Sequence, residues 1–192
     1  AYEEIVTQTA EIRKLDFIKY YIYWVMDIEQ YDYERLQIKV PDCLSTCKNQ
    51  EIPKTIHYCW FGEHKISAQC RKWMESWSYY CPGYEIIEWN EKNYNVHKNR
   101  YISQAYGRKK WAFVSDYARI DIVNEYGGIY LDTDVELVKN IDEMLMNNGF
   151  CGFESNQYVN YGLGFGAKKN HPILGDMKAY YDSIDFILED GT

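Results

Sequence analysis

Between Trp111 and Val135 the chain spells out a helix, a sharp stop and a strand, and no other stretch constrains the fold as much. Phe113, Val114, Tyr117, Ile120, Val123 and Asn124 recur at helical spacing, and Gly127 stands where a glycine ends a helix. Ile129-Tyr130-Leu131 then reads as a short buried strand, with Asp132-Thr133-Asp134 directly after it. Side chains alternate across an extended backbone, so Asp132 and Asp134 are expected on one side of the strand end. Two carboxylates aimed at one point suit a hard divalent cation, Mg2+ or Mn2+, which can in turn hold a diphosphate. Asp-x-Asp alone is common, and its plain reading is a polar turn after a strand; the surroundings have to decide.

The surroundings keep the strand-and-helix order. Thr55 to Phe61 is a β-branched and aromatic run closed by Gly62, a buried strand ending in a loop. Ser67 to Tyr80 reads as a helix, Cys81-Pro82-Gly83 as a turn, Tyr84 to Trp89 as a strand, and Asn90 to about Arg100 as a polar loop. Phe150 to Glu154 and Gly162 to Ala167 read as short strands, and Asp176 to Leu188 as a helix. This alternation predicts a three-layer α/β domain with a mostly parallel sheet. Upstream, apolar positions from Ile5 to Met26 recur at helical spacing, and Pro41 opens a polar stretch to Gln50. The expected organisation is a helical segment and linker over 1–50 and the α/β domain over 51–192, cut short at its C-terminal end.

Composition narrows the function. With 192 residues, 46% hydrophobic and 26% charged, the chain can bury a real core. A net charge of −8 argues against a nucleic-acid partner, which needs a basic footprint. The six cysteines read as reduced thiols of a cytosolic protein; Cys43 and Cys47 lack the second pair that a zinc site needs. No apolar run is long enough to span a bilayer, Tyr20 to Met26 being the longest.

Asp116 and Arg119 lie three apart and so share a face of the predicted helix. A carboxylate that accepts and a guanidinium that donates can together grip a polyhydroxylated ring. The alternative is a surface ion pair, worth about 0–1 kcal/mol. The apolar run Trp111-Ala112-Phe113-Val114 beside the pair argues against a solvated face. Because the helix turns back through the glycines into the strand, the pair is expected near the Asp132 end, at the sheet edge where α/β folds hold ligands. His57, alone on a strand, reads as structural.

Three segments together, Ile52-Pro53-Lys54-Thr55-Ile56-His57-Tyr58-Cys59-Trp60-Phe61-Gly62, Trp111 to Arg119, and Gly127 to Asp134, resemble the bacterial glycosyltransferases with a DxD sugar-binding region. This is glycosyltransferase family 32, which includes capsular-polysaccharide enzymes and yeast mannosyltransferases; the clostridial glucosylating toxins share its Ser-Asp-x-x-Arg and DxD core. The resemblance runs from about Ile52 to Pro172. It implies a GT-A, Rossmann-like fold, a nucleotide-sugar donor (a UDP-sugar favoured, a GDP-sugar as the other choice) and retention at the anomeric carbon. By position, Trp60 would stack on the nucleobase and Ser115 would lie near the ribose. Asp116 and Arg119 would bind the donor sugar. Asp132 would touch ribose or metal-bound water, and Asp134 would ligate the Mn2+ or Mg2+. The acceptor would be a glycan or lipid-linked glycan for a surface polysaccharide, handled in the cytoplasm or at the inner face of the membrane by peripheral association. No oligomeric state is implied. Two other functions fit the same residues: a non-catalytic nucleotide-sugar or glycan-binding module, and toxin-like glycosylation of a protein.

Overall fold

The computed structural model describes residues 52–153 and 159–187. The expected helix and linker over 1–50, with Cys43 and Cys47, lie outside the described residues. In order, the elements are β1 (Thr55–Cys59), α1 (Ala68–Tyr80), β2 (Glu85–Trp89), α2 (Arg100–Gly107), α3 (Trp111–Tyr126), β3 (Gly128–Leu131), a 3-10 turn (Asp142–Met146), β4 (Gly149–Phe153), β5 (Val159–Ala167) and α4 (Pro172–Ser183).

The strands form one sheet in the order β2-β1-β3-β5-β4. β1 pairs in parallel with β2 and β3, while β5 runs antiparallel to both β3 and β4. The sheet is thus parallel but for β5. A short link between β4 and β5 makes a hairpin, whereas a parallel pair needs a crossover of a dozen residues or more.

Alternation along the strands sorts the core onto two faces. Cys59, Trp89, Tyr130 and Phe165 point to a cluster with Tyr101, Ala105, Val114, Ala118 and Leu174 of the helices α2, α3 and α4. Ile56, Tyr58, Ile129, Leu131 and Phe150 point the other way, against Trp77 of α1 and Val135, Leu137 and Leu145. α3 is the central helix: Val114, Tyr117, Ala118, Ile120, Ile122 and Val123 are all buried.

The helix starts follow local chemistry. Ser67 caps α1, its Oγ accepting the Cys70 amide at 3.0 Å, and Asn99 caps α2, its Oδ1 accepting the Ile102 amide at 3.0 Å. α2 is an element the sequence reading lacks; its only signals are that cap and the short apolar set Tyr101, Ile102 and Ala105. α4 begins at Pro172, ahead of the expected Asp176, because proline suits the first helical turn. It ends at Ser183, before the expected Leu188.

The stop after α3 is built on two positive-φ glycines. Gly127 (φ 70) returns its amide to the Val123 carbonyl at 2.8 Å. Gly128 (φ 110) leaves no room for a side chain, since a Cβ would lie 2.8 Å from both His57 Nε2 and the Thr55 carbonyl. His57 is 1% exposed; its Nδ1 accepts the Trp89 indole N–H at 3.1 Å, so Nε2 carries the proton and donates to the Gly127 carbonyl at 2.9 Å. Burial lowers its pKa. One neutral imidazole therefore ties β1, β2 and the glycine turn together.

Candidate active site

β1 and β3 are parallel, so both C-terminal ends open on the same edge of the sheet. α3 runs back along β3 through the glycine turn, which puts its N-terminal half at that edge too. Trp60 follows β1 there, Asp132 follows β3, and Asp116 and Arg119 face Asp132 from α3.

Arg119 is the hub. It is 8% exposed, pairs with the Asp116 carboxylate through Nη2 and donates through Nη1 to the Gly162 carbonyl at 2.6 Å. Asp132 Oδ1 lies 4.0 Å from Nη1. The Tyr130 and Tyr161 rings hold the guanidinium at 5.8 and 5.7 Å, within cation–π range. Arg119 Nε is buried with no hydrogen-bond partner among the described residues, a donor still unspent in a polar site.

The two DxD carboxylates differ. Asp132 is the last residue on the β5 ladder, its amide donating to the Leu163 carbonyl at 2.9 Å. Its Oδ1 accepts the Tyr130 hydroxyl at 2.8 Å. Burial pushes its carboxyl up to about 6; the Arg119 charge and the Tyr130 hydrogen bond oppose this, and the charges of Asp134 and Asp116 add to it. Burial also raises the Asp116 carboxyl, against the pull of Arg119. Asp134 is exposed. The backbone turns between the two, with the Val135 amide on the Asp132 carbonyl at 3.1 Å. The expected shared strand face is thus corrected: β3 ends at Leu131, and a turn rather than strand alternation brings the carboxylates near each other.

Ser115 is half-buried on α3, one residue before Asp116. Trp60 is half-buried, donates its indole N–H to the His64 carbonyl and packs against the α1-side cluster. Trp60 and Arg119 therefore lie on opposite faces of the sheet and approach one another only at its edge. Sequence reasoning missed Tyr130, Tyr161 and Gly162. Strand period could have found Tyr130, two residues before Asp132; Tyr161 and Gly162 come from the reversed strand β5, which no local pattern places here.

Among the described residues no group of three or more His, Cys, Asp or Glu side chains could hold a metal ion. Asp132 and Asp134 still fit a hard cation that completes its shell with phosphate oxygens and water, as Mg2+ commonly does. Cys59, Cys70 and Cys81 form no disulfide, and no described helix is long and apolar enough to cross a membrane.

A separate crevice of about 420 Å3 opens on another flank of α3, lined by Lys98, Tyr117, Asp121, Asn124, Lys178 and Asp182 among others. Its charges already satisfy one another. Buried Asp121 takes Lys98 at 2.5 Å, Lys178 at 3.2 Å and the Tyr94 hydroxyl at 2.8 Å, fastening α4 and the loop before α2 onto α3. Its chemistry is that of a packing joint, and it contains none of the residues at the sheet edge.

Comparison with known proteins agrees with the geometry. Residues 67–151 match the family model described as a glycosyltransferase sugar-binding region containing a DXD motif. That span includes Ser115, Asp116, Arg119, Asp132 and Asp134 and leaves Trp60 outside it. An uncharacterized glycosyltransferase of Acanthamoeba polyphaga mimivirus is 32% identical over 132 residues, 64% of this chain and 53% of the relative. A human alpha-1,4-N-acetylglucosaminyltransferase is 35% identical over 71 residues, 36% of this chain and 19% of the relative. The chain thus spans about half of the first relative and a fifth of the second. Among solved structures, the PaToxG glycosyltransferase shares the fold with a TM-score of 0.57 at 18% identity, over 67% of this chain and 59% of that one. The fold is similar to that of a GT-A glycosyltransferase, and residues 67–151 resemble the sugar-binding region of the DXD-motif glycosyltransferases.

Proposed function

We propose that this chain carries the donor site of a metal-dependent, retaining glycosyltransferase that moves a sugar from a nucleotide-sugar to a hydroxyl of a glycan or lipid-linked glycan. The observation that carries the reading is buried Arg119 between the half-buried carboxylates of Asp116 and Asp132, beside exposed Asp134, at the C-terminal edge of β1 and β3. A structural ion pair needs no second carboxylate desolvated beside it and no unpaired guanidinium nitrogen. A sugar ring supplies both missing partners, hydroxyls that donate to carboxylates and accept from Arg119 Nε.

In this reading Asp116 and Arg119 hold the donor sugar, Ser115 lies near the ribose, and Trp60 stacks on the base across the sheet edge. Asp132 and Asp134 hold Mn2+ or Mg2+. When bound, the ion neutralises the diphosphate and makes it a better leaving group. The bond between the anomeric carbon and the phosphate oxygen breaks with its electron pair on the oxygen. The acceptor oxygen bonds to the same face, and its proton passes to the departing phosphate. The protein contributes placement and fixed charge, with Arg119 held rigid before the reaction begins.

Asp134→Ala tests this cleanly, because an exposed carboxylate can be removed at little cost in stability. Sugar transfer and donor hydrolysis would be measured for a panel of UDP- and GDP-sugars with and without Mn2+, UDP-N-acetylglucosamine included because one similar protein is named for that sugar. The expected result is Mn2+-dependent turnover that is lost in the variant. Near wild-type turnover in Asp134→Ala would remove the metal assignment. Donor binding with neither transfer nor hydrolysis in the wild-type chain would favour a nucleotide-sugar-binding module instead.

A further inference from the structure

The loop that carries Trp60 is pinned at a single residue, Gly62, from two directions. Its amide donates to Glu91 Oε1 at 2.5 Å, a charge-assisted bond to the loop after β2. From the other side the Trp111 indole lies flush on the glycine: a Cβ there would fall 2.6 Å from Trp111 Cε2 and Nε1. Gly62 also has φ 94, so glycine is required on both counts. Neighbouring contacts stiffen the clamp. The Trp60 amide extends the ladder to the Trp89 carbonyl at 2.8 Å, Phe61 is 5% exposed with its ring edge-on to Tyr94 at 6.0 Å, and Trp111 packs edge-on to Tyr106 at 5.3 Å.

The position of Trp111 gives the clamp its meaning. It is the first residue of α3, the helix that carries Asp116 and Arg119. One rigid helix therefore touches the Trp60 loop at its tip and presents the sugar-binding pair a turn and more further on. A nucleotide-sugar has a diphosphate of limited reach between base and sugar, so the two ends of its site must be kept in register. Here those ends stand on different elements and opposite sheet faces, and the Gly62–Trp111 contact bridges them.

We propose that Glu91 and Trp111 are positioning residues for the nucleobase end of the donor, setting the placement of Trp60 relative to Asp116 and Arg119 without touching the donor. This rests on the reading of Trp60 as the nucleobase platform. Their loss should weaken nucleotide binding and leave the chemistry of bound donor nearly intact.

The test uses the full chain with Mn2+ and measures the Kd of UDP and of GDP by calorimetry, beside donor KM and kcat. Trp111→Ala is expected to raise Kd and KM about tenfold or more with kcat within about threefold. Glu91→Ala should do the same more weakly, with Glu91→Gln, which keeps the acceptor oxygen, recovering part of the loss. Trp111→Phe serves if the alanine variant does not fold. In a Trp60→Ala background, Trp111→Ala should add little further loss of nucleotide affinity. The controls separate two failures. If Trp60→Ala leaves nucleotide Kd unchanged, the platform reading falls and this inference with it. If Trp60→Ala weakens binding while Trp111→Ala and Glu91→Ala do not, or if they lower kcat and stability without moving Kd, the platform stands and the positioning role is overturned.

Discussion

Replacing Arg119 by methionine keeps the length and apolar stem of the side chain and deletes only the cation, so it asks whether the site is a built ion cluster. Four interactions go at once: the pair with Asp116, the donation to Gly162 at 2.6 Å, the attraction on Asp132 at 4.0 Å and the contacts with two tyrosine faces. Removing one partner of a buried pair costs about 3–5 kcal/mol. The Asp116 side chain is 30% exposed and regains some hydration, which brings that term to about 2–3 kcal/mol. The Gly162 carbonyl left without its donor adds about 1 kcal/mol. Arg119→Met should therefore lower stability by about 3–4 kcal/mol at pH 7. Much of this is the uncompensated charge on Asp116, so Asp116→Asn should rescue part of it, with a coupling of about 2 kcal/mol across the double-mutant cycle. Urea unfolding followed by circular dichroism, repeated at low and high salt, measures each corner. A loss below about 1 kcal/mol, or an additive cycle, would show that Arg119 and Asp116 are no more than a solvated surface pair.

Two further outcomes concern pH. His57 is buried neutral with a lowered pKa, so the unfolded chain binds the extra proton first and stability falls as pH drops below about 6.5 toward the folded pKa. His57→Gln should flatten the acid limb below about pH 6.5, read as the wild-type-minus-variant difference in unfolding free energy; an unchanged slope would remove His57 from the acid response. Asp132 runs the other way. Its folded pKa is raised to about 6, so its contribution is fully present below the ordinary carboxylate pKa and is lost as pH rises through about 6. Asp132→Asn, which keeps an acceptor for the Tyr130 hydroxyl, should then make the metal-free protein more stable at pH 7.5 by about 1 kcal/mol, a figure reduced because the side chain is 35% exposed. A destabilised variant would mean that the Arg119 attraction outweighs burial at this carboxylate.

Legibility from sequence followed the range of the interactions. α3 and the glycine stop were readable from sequence, and β3 to within one residue at its start, because helical spacing, a C-terminal glycine and an apolar run are local signals, and the proximity of Arg119 to Asp132 followed from the turn that joins them. α2 was not readable, since a helix that short has too few periodic positions to stand out from the polar loop before it. The reversed direction of β5 was not readable either, because pairing is set by the sheet rather than by the strand's own residues. That is also why Tyr161 and Gly162, which complete the holding of Arg119, were missed. Trp60 was legible as a strand-end tryptophan, but its clamp was not: Gly62, Glu91 and Trp111 come from three separate segments.

The same distinction explains how one short motif yields two unlike carboxylates. Asp132 is still on the ladder, its amide bonded to Leu163 and its carboxylate steered by the Tyr130 hydroxyl two residues back and by Arg119. The turn that closes on the Val135 amide then frees Asp134 to stand in solvent. A cation entering here meets one carboxylate already oriented and partly desolvated, and one still hydrated and free to adjust its reach. The fixed group carries its cost in the folded protein at all times, whereas the exposed group loses its freedom only on binding. Removal of Asp134 should therefore affect metal-dependent turnover while hardly touching the fold. Removal of the Asp132 charge should affect both, in opposite directions: turnover lost and the metal-free protein stabilised. A variant pair in which both substitutions left stability unchanged would mean that the turn does not divide the two roles.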